Sequence, residues 1–141
     1  MTLVSMDIEP QVKEIVLREK GKQIVFTGET AAYIQNNSNS FRTNINYVIN
    51  EDGRIPKEDM EYVGYLDAYI TTPLRTFCDI LEQEEFLTGQ WYEICVKIYE
   101  LFANGKVVGY DENYLYSEAV RRVGKELVED NWEDLKDFYV H

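Results

Sequence analysis

The chain has 141 residues, a mass of 16.6 kDa and a formal charge of −12, from 26 acidic and 14 basic residues. Its apolar content of 45% and aromatic content of 13% argue against intrinsic disorder and predict one folded domain, 1–141. The acidic excess disfavours direct binding to nucleic acid or to an anionic membrane, because both need basic side chains. No apolar run approaches the roughly 20 residues that span a bilayer. Residues 1–10 lack the basic and apolar regions of a signal peptide, which favours a cytoplasmic protein.

The N-terminal part of the chain, residues 12–49, is predicted to be mainly β. Two short apolar runs flank Gly21 within residues 12–26, which favours a hairpin; a short helix over 10–20 is the alternative. A polar loop is expected over 35–40. Residues 41–49 alternate apolar and polar side chains as a strand does, and Asp52-Gly53 supplies the turn after it. A small antiparallel sheet of two to four strands is therefore expected.

The C-terminal part, residues 57–139, is predicted to be mainly α, because the apolar period there lengthens to about 3.6 residues. The first predicted helix has four large side chains at i, i+3, i+4 and i+7, namely Tyr62, Tyr65, Leu66 and Tyr69. Thr72 and Pro73 then provide an N-cap and a first helical residue for a second helix, which should end by Gly89.

Two further helical segments follow. Residues 91–102 carry the strongest amphipathic stripe in the chain, and Asn104-Gly105 is typical of a C-terminal cap. Asp111 is a candidate N-cap for the next helix, and a break is expected near residues 130–131. The sequence as a whole thus predicts an α+β fold, in which a small N-terminal antiparallel sheet is followed by a compact group of three to five helices.

The sequence offers few residues for catalysis. His141 is the only histidine, which removes nearly all histidine-based acid–base and nucleophilic chemistry. Cys78 and Cys95 are 17 residues apart among apolar neighbours, so they are expected in the core rather than on a metal. Glu82 and Glu85 would be neighbours on a helix, but such pairs arise by chance in so acidic a chain. We therefore expect no enzyme activity, no cofactor and no bound metal.

Phosphate- and calcium-binding motifs are also missing. The chain has neither of the glycine-rich phosphate loops, G-x-x-x-x-G-K-[ST] and G-x-G-x-x-G. Residues 50–55 resemble the middle of an EF-hand loop. That alignment places Val48 at the first ligand position, and valine cannot coordinate calcium. A plain turn is the better prediction.

An acidic row near the C-terminus is the most suggestive feature. In a helix, four carboxylates would recur at i, i+4, i+7 and i+11, and these are Glu126, Asp130, Glu133 and Asp137. We call these four residues the acidic stripe; Glu129 lies beside it. Its spacing of roughly 5–6 Å between neighbours resembles a row of phosphates, so the stripe could act as a nucleic-acid mimic on a basic partner. A solubilising surface helix is the alternative.

Tyrosines add a second candidate partner surface. Tyr62, Tyr65 and Tyr69 are expected on one helical face, and Tyr110, Tyr114 and Tyr116 are close in sequence. Tyrosine combines a large apolar ring with a hydroxyl, which suits an interface that also survives in water. Half-buried packing between sheet and helices would explain the same residues. Tyrosine-rich faces also permit a homodimer.

Three functions remain open at this point. The first is a non-catalytic inhibitor, comparable in type to phage anti-defence (anti-CRISPR-like) or toxin-immunity proteins, that blocks the basic nucleic-acid-binding site of a partner protein. The second is a nucleotide-like ligand binder or sponge, with Arg42 or Arg121 on the phosphates and Tyr114 on the base. The third is a carboxylate-based, metal-dependent hydrolase. For Arg121 and Arg122, ion pairing with Glu118 and Glu126 is the alternative to ligand binding.

Overall fold

The protein has an α+β fold with its sheet in the N-terminal part, as the sequence predicts. The structure, a computed structural model, describes residues 9–35, 45–82 and 90–140, and within these ranges it contains four β-strands and six α-helices. The chain forms two compact units, Met1–Thr76 and Phe77–His141.

The first unit is built around the sheet. Its elements are α1 (Glu9–Arg18), β1 (Ile24–Phe26), α2 (Gly28–Ile34), β2 (Tyr47–Ile49), β3 (Met60–Val63) and β4 (Ala68–Thr71), with a short 3-10 helix at Lys57–Asp59. The strand order is β2-β1-β4-β3. The β1–β2 and β3–β4 pairs are antiparallel, whereas β1 and β4 are parallel. The four strands lie within the predicted two to four, and two of the three strand pairs are antiparallel as predicted. The parallel β1–β4 pair, which makes the sheet mixed, was not predicted.

The predicted hairpin over residues 12–26 is also wrong, and the alternative helix is correct. In α1, Val12 and Ile15 are buried, three residues apart, while Leu17 is 73% exposed. Burial thus follows the helical period rather than the alternation that would pair Ile15 with Leu17 on one strand face. The second half of the proposed hairpin is indeed a strand, β1, but it pairs with β2 and β4 and not with the segment 12–20.

Only part of the strand predicted over 41–49 can be compared with the structure. The antiparallel strand β2 begins at Tyr47 and ends at Ile49. A bend at residues 51–52 follows, and then Gly53, whose φ of +72° favours glycine. Of the loop predicted over 35–40, Gln35 is the residue that ends α2, whereas residues 36–40 lie outside the described residues, as do 41–44 with Arg42. Helix α2 was not predicted at all.

The predicted helix through Tyr62 and Tyr69 is instead the β3–β4 hairpin. Tyr62 lies opposite Tyr69 in the antiparallel register, so the four-residue connection 64–67 returns the chain on itself. Asp67 adopts a φ of +55°, a conformation that aspartate tolerates better than most residues. The seven-residue spacing of these tyrosines therefore comes from a hairpin and not from two helical turns.

Both units have their own buried side chains. A cluster of the first unit joins α1, α2 and the sheet, and its residues include Val12, Ile24, Phe26, Ile34 and Ile70.

Helix α3 (Pro73–Leu81) contains the boundary between the units. It begins at the predicted proline, and the Arg75 amide donates to Thr72 Oγ1 over 3.3 Å, which confirms the N-cap.

The second unit is helical, with α4 (Gln90–Ala103), α5 (Glu112–Val123) and α6 (Lys125–Val140). The amides of Gly105 and Lys106 donate to Phe102 and Leu101, which is the Schellman arrangement at the end of α4. Asp111 accepts from the Tyr114 amide at 3.0 Å and caps α5. Both predicted caps are confirmed.

The predicted break near residues 130–131 is wrong. Helix α6 continues through Asn131, whose buried side chain donates to the Leu127 carbonyl over 3.0 Å within the helix. The break lies instead at Gly124, which separates α5 from α6 with φ +102° and ψ 148°. Cys78 and Cys95 are free and buried as predicted, and burial raises the pKa of Cys95 well above its ordinary value.

Candidate functional site

The acidic stripe lies on one exposed face of α6. All four of its carboxylate residues are exposed, as is the neighbouring Glu129. At about 100° per residue, the stripe falls within an arc of roughly 60°. Val128, Asn131 and Leu135 are buried on the opposite side of the same helix. The burial of that side turns the stripe outward from the second unit.

A groove of about 660 Å³ opens beside the stripe. It is lined by one residue of α4, three of α5 and four of α6, namely Tyr99, Glu112, Asn113, Tyr116, Glu129, Trp132, Glu133 and Lys136. Glu133 belongs to both surfaces, so the stripe and the groove are continuous along α6. The groove has three carboxylates and one ammonium group, which gives it a negative lining.

Aromatic rings form the inner part of this groove. Trp132 makes edge-to-face contacts with Tyr99 and Tyr116, at centroid distances of 5.2 and 5.1 Å, and with Phe77 at 6.3 Å. Trp132 is only 8% exposed and Tyr99 5% exposed, so both are held by packing. Such edge-to-face contacts stabilise aromatic clusters beyond the area that they bury. The groove therefore has a rigid aromatic base beneath a carboxylate rim.

One rim carboxylate is held in place by a groove tyrosine. The Tyr116 hydroxyl donates to Glu129 Oε1 over 2.7 Å, which joins α5 to α6. This hydrogen bond, with some burial and the charge of Glu129, raises the pKa of Tyr116. On the other side, Lys125 Nζ lies 3.8 Å from the same oxygen in an exposed ion pair.

Arg121, predicted as a possible phosphate ligand, and its neighbour Arg122 are both engaged with a carboxylate. Arg121 donates two hydrogen bonds to Glu118, at 2.7 and 3.1 Å, and Arg122 Nε lies 3.5 Å from Glu118 Oε1. Hydrogen bonding from Arg121, the largest contribution, lowers the pKa of Glu118. Tyr114, predicted to stack on a base, stacks instead on Tyr110 with a centroid distance of 4.0 Å.

The other predicted tyrosine surface is brought together in the first unit, on different elements from those expected. Tyr62 and Tyr69 make an edge-to-face contact at 5.3 Å, and the Tyr62 hydroxyl donates to Asp67 over 2.6 Å. Tyr65 lies in the connection between the strands and is 41% exposed. A groove of about 510 Å³ beside Tyr62 and Tyr69 is also lined by Lys20 and Lys22.

The most informative groove residues were missed in the sequence. Trp132 and Tyr99 are not among the residues that the sequence singles out, because both lie on apolar faces. A signal was nevertheless present: Glu129, Trp132, Glu133 and Lys136 follow i, i+3, i+4 and i+7 on one helical face. Their proximity to Glu112 and Tyr116 needs the packing of α5 on α6, which a single sequence does not show.

In the described part of the chain, no group of three His, Cys, Asp or Glu side chains could hold a metal ion. Glu82 follows α3 and is exposed, while Glu85 lies outside the described residues. Over the same ranges, none of the helices has the combined length and apolarity that crossing a bilayer requires.

Comparisons of the chain with protein-family models, curated proteins and solved structures give no match in any of the three. A proposal of function therefore depends on the chemistry of these surfaces.

Proposed function

We propose that this chain is a non-catalytic, acidic binding protein that acts in the cytoplasm as an inhibitor. In this proposal the acidic stripe on α6 occupies the basic nucleic-acid-binding surface of a partner protein. The observation that carries it is the outward position of four carboxylates on one helical face, opposite the buried side of the same helix. The proposed inhibitor is comparable in type to phage anti-defence proteins and toxin-immunity proteins.

The distribution of charge supports the proposal. The second unit has 15 acidic and 6 basic residues, which is −9 of the total −12. Helix α6 alone has six acidic residues against Lys125 and Lys136. Several like charges on one face increase the attraction of a basic partner over a distance of about 10 Å at moderate salt. They also repel one another within the helix, and this is a cost that binding would offset.

The test compares two variants with the same net charge. In one, the stripe is neutralised by Glu126→Gln, Asp130→Asn, Glu133→Gln and Asp137→Asn. In the other, four exposed acids of the first unit are neutralised by Glu14→Gln, Glu51→Gln, Asp52→Asn and Glu58→Gln. Partners are captured from the native host at low and high salt, purified, and tested for binding to labelled DNA or RNA with and without the chain.

We expect the native chain and the first-unit variant to capture a basic partner and to displace its nucleic acid. The stripe variant should bind at least tenfold more weakly, and high salt should weaken binding of the native chain. Equal weakening in both variants would mean that net charge alone matters and that the stripe has no specific role. A partner that keeps its nucleic acid in the presence of the chain would contradict inhibition by mimicry.

A second candidate function is binding of a small anionic aromatic ligand, and the first-unit groove favours it. There Tyr62 and Tyr69 could stack on a base while Lys20 and Lys22 contact a phosphate. Lys22 also forms a 3.1 Å ion pair with Glu19, which a phosphate would have to replace. Nucleotides should then raise the melting temperature, and Lys20→Ala should abolish that rise. A nucleotide panel without any thermal shift would exclude this function.

A further inference from the structure

We propose that the groove between α5 and α6 binds one arginine side chain of the basic partner, with the guanidinium between the aromatic base and the carboxylate rim. This inference rests on the proposed function for the source of the arginine, because it assumes a basic partner on the adjoining stripe. It adds a specific pocket to a surface that would otherwise attract any cation.

The charge of the groove selects a cation. Glu112, Glu129 and Glu133 line it together with one basic residue, Lys136. Glu129 and Glu133 are one helical turn apart, a spacing of roughly 5–6 Å. The planar, forked guanidinium can donate to carboxylates on more than one side, whereas an ammonium is a compact point charge. Two carboxylates on one helical face therefore favour arginine over lysine.

The aromatic base supports the same choice. A guanidinium stacks on aromatic rings and is more weakly hydrated than an ammonium. It therefore loses less hydration free energy when it enters a partly apolar site. Tyr116 is half-buried at the groove and Trp132 lies beneath it. The Tyr116–Glu129 hydrogen bond fixes a ring and a carboxylate relative to one another. The binding groups are thus ordered before the arginine arrives, which lowers the entropic cost of binding.

The size of the groove fits a side chain with some of its flanking backbone. Its volume of about 660 Å³ lies within the ~300–1,000 Å³ range of ligand sites. Lys136 lines the same groove and carries a positive charge, which repels a guanidinium. Its removal should therefore strengthen binding of a cation, an effect opposite in sign to the removal of Glu129 or Glu133.

The experiment uses the full chain with Trp91→Phe, which leaves Trp132 as its single tryptophan. The probes are acetylated, amidated Gly-Arg-Gly peptides and the same peptides with lysine or with citrulline, the uncharged analogue of arginine. Binding is followed by Trp132 fluorescence and by the Trp132 indole N–H signal in NMR spectra. Circular dichroism confirms that every variant is folded.

We expect saturable binding of the arginine peptide, several-fold weaker binding of lysine, and at least tenfold weaker binding of citrulline. Glu129→Gln with Glu133→Gln should weaken arginine binding about tenfold, and Lys136→Gln should strengthen it about threefold. The matched control, Glu93→Gln with Asp134→Asn, removes the same charge from exposed positions of the second unit outside both the groove and the stripe, and should change affinity less than twofold.

Three outcomes would overturn the inference. No saturable response in either measurement would exclude an arginine pocket, and equal affinity for citrulline would exclude recognition of charge. Equal weakening by the control pair would mean that only the general negative potential matters. If the arginine peptide does not bind but the stripe variant still loses the partner, the proposed function stands without the pocket. If arginine binds but the stripe variant captures the partner normally, the proposed function fails and the pocket remains.

Discussion

The hydroxyl of Tyr116 on α5 donates a 2.7 Å hydrogen bond to Oε1 of Glu129 on α6. This contact joins the two helices at the place where the carboxylate rim meets the aromatic base. The hydrogen bond restricts rotation of the Glu129 carboxylate, so this negative charge has a fixed position at the groove. The acidic surface of the second unit is consequently more than a diffuse excess of charge.

The first prediction concerns the ionisation of Tyr116. Glu129→Gln should lower the pKa of Tyr116 toward its ordinary value, because the hydrogen bond to a charged acceptor is what chiefly raises it. NMR titration of ring-labelled tyrosine would follow the change. Glu126→Gln, one turn earlier on α6, is the control and should leave the pKa of Tyr116 nearly unchanged. An equal fall in both variants would contradict the specific contact.

The second prediction is a gain in stability when the stripe is broken. Asp130 has acidic neighbours at i−4 and i+4, Glu126 and Asp134, and a third at i+3, Glu133. Asp130→Lys converts three repulsions into attractions, so the free energy of unfolding should rise by about 1 kcal/mol at low salt. Urea unfolding followed by tryptophan fluorescence would measure it. Asp130→Asn should give about half the gain, and both gains should shrink in about 1 M salt.

This second result would bear directly on function. If Asp130→Lys is more stable but captures the basic partner more weakly, the repulsion in native α6 is a cost retained for binding. A more stable variant with unchanged binding would favour the alternative, in which the stripe serves only solubility.

Chain segments with a local signal were predicted correctly. Thr72-Pro73, Asn104-Gly105 and Asp111 each act within one helical turn of their own position, so their roles as helix ends are visible in the sequence. The amphipathic pattern of α4 is long enough to be unambiguous. The α6 stripe depends only on helical periodicity, and its exposure follows once the helix forms.

The sequence predictions failed chiefly where the spacing of apolar residues over a short stretch fits both a helix and a pair of strands. Tyr62 and Tyr69 are seven apart, a spacing that suits two helical turns or the opposed positions of a hairpin with a four-residue connection. Gly64 and Asp67 were the turn signals that could have separated them. Gly124 was likewise overlooked as a helix break. The groove could not be predicted, because Tyr99, Tyr116 and Trp132 meet only through packing of three helices.

The third prediction tests a buried ion pair in the first unit. Arg75 Nη1 lies 3.1 Å from Oδ2 of Asp59, which is 4% exposed. Asp59→Asn should lower the free energy of unfolding by about 2–3 kcal/mol, because it removes a nearly buried carboxylate from its contact with a partly buried guanidinium. Asp52→Asn is the matched control, since its pair with Arg54 is exposed and should contribute less than about 0.5 kcal/mol. Urea unfolding followed by circular dichroism would compare them; similar losses would contradict the assignment.

The fourth prediction is a pH dependence from Glu118. Its folded pKa lies below its ordinary value because Arg121 and Arg122 stabilise the carboxylate. A lowered pKa means that the stabilisation is complete above the unfolded pKa of about 4.3 and is lost as the pH falls through the folded pKa. Glu118→Gln should therefore be less stable than the native chain by about 0.5 kcal/mol at pH 7. The difference should disappear in acid; a difference that persists below the folded pKa would mean that Glu118 acts through packing.

The last prediction concerns the connection between α5 and α6. Gly124 has φ +102° and ψ 148°, a conformation that is strained for any residue with a Cβ, although a Cβ there would meet no atom within 4 Å. Gly124→Ala should therefore cost about 1–3 kcal/mol through the backbone alone. Gly64→Ala is the control, because Gly64 does not have a positive φ and its nearest contact for a Cβ is 4.0 Å away.

If alanine at position 124 instead relieves the strain by joining α5 and α6 into one helix, the Tyr116–Glu129 hydrogen bond must break. NMR would then show the pKa of Tyr116 falling as it does in Glu129→Gln, and arginine binding would be lost with it. Unchanged stability together with an unchanged Tyr116 pKa would show that the chain does not need glycine at this position.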